Sequence, residues 1–344
     1  ALIPIHVEPV AWVMGREDLL VSTFMLAALL AQSFEFSATR PRSRWTCYAA
    51  SLLFMLLALG SKISAVALFL VLFLHRVFRG NLESPNETGA ESGLIPSAMR
   101  AFPPIMPHAL LSVAVFFAYR SVLAEWGVLE TNAPSPFSLE HLRHVVTFFP
   151  LILGEYVRNV FIGHDLSSYD RWPHVAIPLT PGQLLASAGL AIGFGVGLVQ
   201  VLRKRRDLAF FALFPLALLV PYSGLFYVGF WQADRYFYLA SAGVLTLAAL
   251  LVRDFVRARP QWRMPAFALT AVFLATSAVS SWQQQAVWRD SETLWTYESN
   301  RDSPSLLSIQ ALAKIHVQRG EEAQDASARV ASAKSAYLLI ERGF

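Results

Sequence analysis

The chain has 344 residues, of which 55% are hydrophobic and 15% charged, with a mean hydropathy of +0.45. A soluble domain carries roughly 25% charged residues and 45–50% apolar ones, so this balance excludes an ordinary soluble domain and predicts an all-α, polytopic transmembrane helix bundle. The net charge of +4 does not point to nucleic acid, because Lys and Arg fall in short clusters between apolar runs, and a single cysteine, Cys47, excludes a disulfide framework.

Ala1-Leu2-Ile3-Pro4 has no basic leader and no cleavage site and passes at once into polar residues. It reads as neither a signal peptide nor a complete first helix, and so as the start of a fragment cut from a larger membrane domain. Runs long enough to cross about 30 Å of hydrocarbon follow at 19–36, 46–60, 63–79, 105–123, 183–202, 208–229, 236–252 and 264–282.

Basic residues orient these runs. Arg40, Arg42 and Arg44 fill one loop; Arg76, Arg79 and Arg100 a second; Arg203, Lys204, Arg205 and Arg206 a third; Arg253, Arg257, Arg259 and Arg263 a fourth. Together they are half of the 28 Lys and Arg, which assigns these loops to the cytoplasmic side. The alternation closes only if the run 142–162 does not cross. Glu140, His141, Arg143, His144, Glu155 and Arg158 interrupt it and Pro150 breaks it near the middle, so a pair of interfacial, amphipathic helices is expected there. Asn86-Glu87-Thr88 matches a glycosylation sequon but falls on the cytoplasmic side in this topology.

Four segments then share the other side: Pro4 to Asp18, the turn Gly60-Ser61-Lys62, the long loop 124–182, and Trp231 to Arg235. They bring His6, Glu8, Arg16, Glu17, Asp18, Lys62, His164, Asp165, Asp170, Arg171, Asp234 and Arg235 to one face. Such a convergence predicts a site for a polar or anionic head group, with an apolar tail lying between helices. Its centre is Phe230-Trp231-Gln232-Ala233-Asp234-Arg235-Tyr236-Phe237-Tyr238, where opposite charges and four aromatic rings (Phe230, Trp231, Tyr236, Tyr238) meet a membrane boundary. The alternative is an anchor, with Asp234 capping the next helix and Arg235 snorkelling to head groups.

Four blocks in order resemble the transmembrane and TPR-repeat-containing O-mannosyltransferase family and its bacterial relatives. Pro4-Ile-His-Val-Glu-Pro-Val-Ala-Trp-Val-Met-Gly-Arg-Glu-Asp-Leu-Leu20 is similar to the family's H-P-x-H-x-E-A-V-A-W-x-x-G-R-x-[DE]-L-L. Ser61-Lys-Ile-Ser-Ala-Val66 resembles S-K-E-x-A-V, and Asp234-Arg-Tyr-Phe-Tyr-Leu-Ala-Ser-Ala-Gly243 resembles [ED]-R-Y-x-Y-L-P-S-x-G. Trp288-Arg-Asp-Ser-Glu-Thr-Leu-Trp295 is similar to the segment that leads from the last membrane helix into the repeats. The chain departs from the pattern at Ile3, in place of the first His, at Ile63, in place of Glu, and at Ala240, in place of Pro.

The resemblance implies a GT-C-like transmembrane domain, 1–282, and a linker with the start of TPR-like helical repeats, 283–344. It implies a mannose-like sugar moved from a polyprenyl-phosphate carrier to a protein or glycan acceptor, on the periplasmic face of a bacterial inner membrane or the lumenal face of the endoplasmic reticulum. It also implies a catalytic acidic residue in a first non-cytoplasmic loop upstream of Ala1.

That chemistry needs a carboxylate for the acceptor proton, cations for the phosphate and an apolar groove for the lipid. Glu8 and Asp234 are the candidate catalytic carboxylates. Arg235 leads for phosphate, since guanidinium meets phosphate oxygens bidentately; Lys62 and Arg16 follow, their alternatives being a solvated turn residue and an ion pair of Arg16 with Glu17 or Asp18. His6, Asp165, Asp170 and Tyr236 are candidates for substrate or acceptor contact. His6 and Glu8 stand two apart, which suits neither one helix face nor a complete metal site, and their alternative is a hydrogen-bonded pair that holds a loop. No metal is expected, and the lipid-linked sugar enters as substrate.

After Trp282 the chain turns polar. Leu306 to Val317 and Glu321 to Leu339 read as two helices around Gln318-Arg319-Gly320, as in TPR-like repeats that bind an acceptor or a partner protein. Two other classes stay open: a non-catalytic scaffold that displays repeats, favoured by Ile3 and Ile63, and a transporter, which would call for internal symmetry that the sequence lacks.

Overall fold

The computed structural model describes residues 2–83, 93–126, 138–163, 166, 179–223, 232–301, 306–323 and 325–343. His164, Asp165, Asp170, Arg171, Asn86, Phe230 and Trp231 lie outside the described residues. The described chain is all-helical, with α1 (Val7–Ala11), α2 (Arg16–Ser37), α3 (Pro41–Ser61), α4 (Leu68–Glu83), α5 (Leu94–Glu125), α6 (Leu139–Phe161) and α7 (Pro181–Lys204). There follow α8 (Arg206–Leu219), α9 (Ala240–Ala258), α10 (Arg263–Val287), α11 (Ser291–Ser299), α12 (Leu306–Glu322) and α13 (Ala326–Gly343).

Among the described residues, five stretches are long and apolar enough to cross a membrane: Val13–Ser37, Pro41–Ser61, Leu94–Glu125, Pro181–Lys204 and Pro260–Val287. They contain the expected runs at 19–36, 46–60, 105–123, 183–202 and 264–282. The other three expected runs take different forms. The run 63–79 divides into a 3-10 turn, Ile63–Ala67, and α4, whose 16 residues are fewer than the roughly 20 a crossing needs. Of the run 208–229, the described part forms α8, of 14 residues, and the 3-10 turn Val220–Tyr222, while 224–229 lie outside the described residues. The run 236–252 opens in the 3-10 turn Asp234–Phe237, and α9 continues into Arg253, Asp254 and Arg257.

The run 142–162 is not a pair of helices. It is the single helix α6, which starts at an Ser138 cap and passes through Pro150 without ending. Proline removes one backbone hydrogen bond and crowds the preceding turn. The apolar face Val145, Phe148, Ile152, Leu153 and Tyr156 nevertheless runs unbroken across it into the core, and that burial holds the helix.

Short links fold neighbouring helices back on one another. α2 packs along α3, α4 lies between α5 and α8, and α8 packs against α9. Gly243 makes this last contact: a Cβ there would stand 2.9 Å from both the Phe214 ring and Pro215 Cδ. The core joins Met55, Leu68 and Leu72 to Ile152, Tyr156, Leu219 and Phe237. α7 and α10 lie outside it and expose Leu185, Ile192, Phe267, Leu269 and Val272, the surface expected of a helix bathed in lipid.

Beyond α10, an Asp290–Thr293 capping box starts α11, which packs on α12, and α12 packs on α13. The expected turn at Gln318-Arg319-Gly320 is helical, and α12 ends only at Glu322. Gly320 serves the crossing instead, where an added Cβ would come within 3.2 Å of Ser332 Cβ on α13.

Candidate functional site

All four polar segments meet at the end of the bundle where α2 begins and α3 ends, the loop 124–182 through Tyr156 and Asn159 of α6. The chain enters through a 3-10 turn, Pro4–His6, and α1, then folds back so tightly that a Cβ on Gly15 would lie 2.8 Å from Pro9 Cα. Only glycine admits that approach, and it sets Asp18 in the first turn of α2 beneath Glu8. Lys62 is held in extended backbone (φ −158°, ψ 137°) between α3 and the following 3-10 turn. Asp234 and Arg235 open the 3-10 turn that leads into α9.

Glu8 and Arg235, 4% and 8% exposed, clasp each other. Arg235 Nη1 donates to Glu8 Oε1 at 2.5 Å, and the Arg235 backbone N–H donates to Oε2 at 2.9 Å. The guanidinium carbon lies 5.2 Å from the Trp12 ring centre and 5.1 Å from that of Tyr236, so two aromatic faces support the cation. Burial holds Glu8 above the usual carboxylate range, at about 7, against the opposing pull of Arg235.

Asp234 accepts from Asn159 Nδ2 at 3.1 Å, and Tyr156 on the same face of α6 donates its hydroxyl to Ala233 O at 3.1 Å. Tyr156 also stacks on Phe237, with centroids 4.8 Å apart. The backbone that carries Asp234 and Arg235 is therefore fixed from α6. Tyr236 stacks on Tyr222 at 3.9 Å.

Lys62 reaches across to α2, 2.6 Å from Asp18 Oδ1 and 2.9 Å from Glu17 Oε1. Asp18 Oδ2 is buried and has no hydrogen-bond partner among the described residues. His6 Nε2 stands 2.8 Å from Ser241 Oγ. That hydroxyl spends its own proton on Tyr238 O, at 2.7 Å, so His6 donates. Burial keeps His6 near a pKa of about 4, which leaves a neutral ring protonated at Nε2.

These contacts correct several expectations. Asp234 is not the cap residue of either element: it lies inside the 3-10 turn Asp234–Phe237, capped at Ala233, while α9 is capped at Leu239, and Asn159 bonds it from the side. Arg235 does not snorkel; it is buried on Glu8. Glu17 and Asp18 pair with Lys62 rather than Arg16, and Lys62, with 13% of its side chain exposed, is no solvated turn residue. Arg16 is exposed and makes no ion pair among the described residues, so it stands apart from the cluster. His6 and Glu8 do not bond each other; both are tied to the segment Arg235–Ser241. Ile3, where the family pattern has its first His, is packed in the core.

Asp18 was expected on this face without a role of its own, and Asn159, Tyr156 and Tyr222 were not among the expected site residues. Asp18 had a signal, as the acidic position of the Gly15-Arg16-x-Asp18 motif, but Arg16 beside it supplied a local partner on paper. Asn159 and Tyr156 had only their shared face on α6. No protein-family model matches this sequence, and searches of curated proteins and of solved structures return no match. The reading of the site therefore rests on its chemistry and on the motif resemblance.

Proposed function

We propose that this chain is part of a GT-C-like membrane glycosyltransferase, which takes a mannose-like sugar from a polyprenyl-phosphate carrier. The acceptor is a protein or glycan on the non-cytoplasmic side, and the tail begins TPR-like repeats that bind it or a partner. The observation that carries the proposal is the Glu8–Arg235 clasp. It joins residues 227 apart, each in a separate motif block, at a buried point where Asp18, Lys62, Asp234, His6 and Tyr236 also gather. A cation between two aromatic faces, beside several carboxylates and facing an apolar bundle, has the parts to hold a lipid phosphate and receive an acceptor proton.

The charge balance sets a condition on this mechanism. Glu8, Glu17, Asp18 and Asp234 outnumber Lys62 and Arg235, so an arriving phosphate must take Arg235 from Glu8, and Glu8 must take a proton. Its raised pKa makes that exchange accessible near neutrality. One observation favours the runner-up, a scaffold that presents repeats without catalysis: Glu8 and Arg235 satisfy each other, as a structural ion pair would.

The test is transfer of labelled mannose from polyprenyl phosphomannose by the full-length protein, per folded molecule. Arg235→Ala removes one partner of a desolvated charge pair, which costs about 2–5 kcal/mol, or about 30-fold and more in rate. Arg235→Lys restores part of it, keeping charge but losing the fork. Undiminished transfer in Arg235→Ala rules out the phosphate role, and a wild-type protein without transfer favours the scaffold.

A further inference from the structure

Beside the Glu8–Arg235 clasp lies a cavity of about 30 Å³, lined among others by Asp18, Ser22, Ser64, Tyr222, Arg235 and Tyr236. Asp18 is 5% exposed, and while its Oδ1 is taken by Lys62, its Oδ2 is buried without a partner among the described residues. An ionised oxygen left without a donor inside a protein is disfavoured, so this one calls for a group that brings a proton to share. Size and charge narrow the choice. The volume suits one water-sized group and is far too small for a phosphate, which the carboxylate would also repel. A cation would meet Lys62 on the other oxygen of the same carboxylate and Arg235 across the cavity. What remains is a neutral donor that can also accept, since Ser22, Ser64 and Tyr222 contribute hydroxyls to the same wall.

We propose that this cavity is a binding site for a single hydroxyl group, which donates its hydrogen bond to Asp18 Oδ2 and accepts from the surrounding hydroxyls. The hydroxyl comes from a sugar ring of the substrate or from water. In the substrate case the site rests on the glycosyltransferase reading and deepens it: Asp18, fixed by Lys62 on Oδ1, is the residue that recognises one ring position of the transferred sugar. In the water case the same site fastens α2 to the turns that carry Tyr222 and Arg235.

Two measurements on full-length protein in nanodiscs test this. The first is binding of a short-chain polyprenyl phosphomannose and its monodeoxy analogues to wild type, Asp18→Asn and Ser22→Ala. A substrate hydroxyl in the cavity makes one deoxy analogue alone bind about 10- to 100-fold more weakly to wild type, the range for a hydrogen bond to a charged group. The same analogue loses little further in Asp18→Asn, because the partner is already changed. The second measurement is a map at a resolution that shows ordered water. A peak within hydrogen-bond reach of Oδ2 that stays when the lipid-linked sugar is bound identifies water, and one replaced by a ring oxygen identifies substrate.

If wild type binds none of the lipid-linked sugars, the glycosyltransferase reading fails, yet the map of the unliganded protein still decides the cavity. An empty cavity in that map, together with deoxy analogues that bind alike, overturns the hydroxyl site. Asp18→Asn folds or fails independently of this outcome, and Ser22→Ala keeps the binding comparison open on a chain whose ion pairs are intact.

Discussion

Two Arg–Glu pairs of the bundle invite comparison, Glu8–Arg235 buried and Glu35–Arg76 half-buried. At one end of the bundle Glu8 holds Arg235, and toward the other Glu35 holds Arg76, each at 2.5 Å. The second pair joins facing helices, α2 and α4, and lies among groups that the same interface supplies. Gln32 and His75 bond one another at 2.8 Å, and the Phe36 ring lies 4.8 Å from the Arg76 guanidinium carbon. The first pair sits on short turns from opposite parts of the chain and keeps a bare carboxylate oxygen and a cavity beside it. A pair that serves packing is built from long helices whose registry already fixes it. A pair on turns, held in place by Gly15, Tyr156 and Asn159 and surrounded by excess acid, needs more structure than its own stability repays, which is the mark of a site.

The sharpest way to break this comparison is to remove both arginines in turn. Arg76→Ala leaves Glu35 half-buried and without its partner and destabilises the fold by about 1–3 kcal/mol, while transfer per folded molecule stays within about twofold of wild type. Arg235→Ala also lowers the yield of folded protein, but among the molecules that fold, transfer falls by about 30-fold or more. Equal losses of specific activity in the two variants would make the pairs equivalent and return Glu8–Arg235 to a structural role.

Next in size is the backbone approach that sets the site. Gly15→Ala drives a methyl into the backbone of Pro9 and costs about 1–3 kcal/mol. Gly189→Ala on α7, where nothing lies within 4 Å, is neutral or slightly stabilising, because alanine is the better helix former. Thermal midpoints of the two variants in one detergent check this, and an undisturbed Gly15→Ala would mean that α1 can move off Pro9.

How much of this was legible in the sequence follows from the range of each signal. Basic clusters and apolar runs act locally and additively, so five of the eight expected runs, which form helices long and apolar enough to span, and the meeting of His6, Glu8, Lys62, Asp234 and Arg235 could be read from them. Partner choice could not. Glu17 and Asp18 adjoin Arg16 in sequence, yet helix geometry turns Asp18 inward to Lys62, 44 positions on. Asp234 had the spacing of a cap, and its actual partner, Asn159, is 75 positions away. Pro150 and Gly320 are local breakers that tertiary packing overrides. Asp165 and Asp170 lie outside the described residues.

A smaller effect separates the pairs by pH. Glu8, normally near 4.5, is held at about 7, so between those values the folded chain keeps a proton that the unfolded chain has lost. Stability therefore rises as pH falls from 8 through 7. Below about 6.5 His6 acts in the opposite sense: held at about 4 when folded, it charges first in the unfolded chain, and between about 6.5 and 4.5 its loss offsets the gain from Glu8. The profile of thermal midpoint against pH should rise from 8 to about 6.5, by on the order of 0.5 kcal/mol, and then stay nearly flat to about 5. Glu8→Gln should abolish the rise and uncover a fall below about 6.5, because His6 then acts alone. A midpoint that instead declines from pH 8 to 7 would show that Arg235 outweighs burial.

The smallest effect belongs to a third Arg–Glu pair, outside the bundle. Arg319 on α12 donates to Glu292 on α11 through both terminal nitrogens, a guanidinium fork where Arg235 uses one terminal nitrogen and its backbone N–H, but the two side chains are 54% and 40% exposed. Water solvates both charges whether or not they meet, and holding two long side chains together costs rotamer entropy, so the net gain is small. Salt screens what is left, with a screening length of about 3 Å at 1 M. Arg319→Ala should leave the thermal midpoint, the transfer rate and the α11–α12 contact unchanged, since Leu294, Leu312 and Ala313 bury that end of the tail. Arg76→Ala and Arg235→Ala should keep their effects in 1 M salt, because no counter-ion reaches a side chain with 8% of its surface exposed. If the midpoint of Arg319→Ala falls in low salt and recovers in high salt, the exposed fork contributes measurably, and burial is not what distinguishes the three pairs.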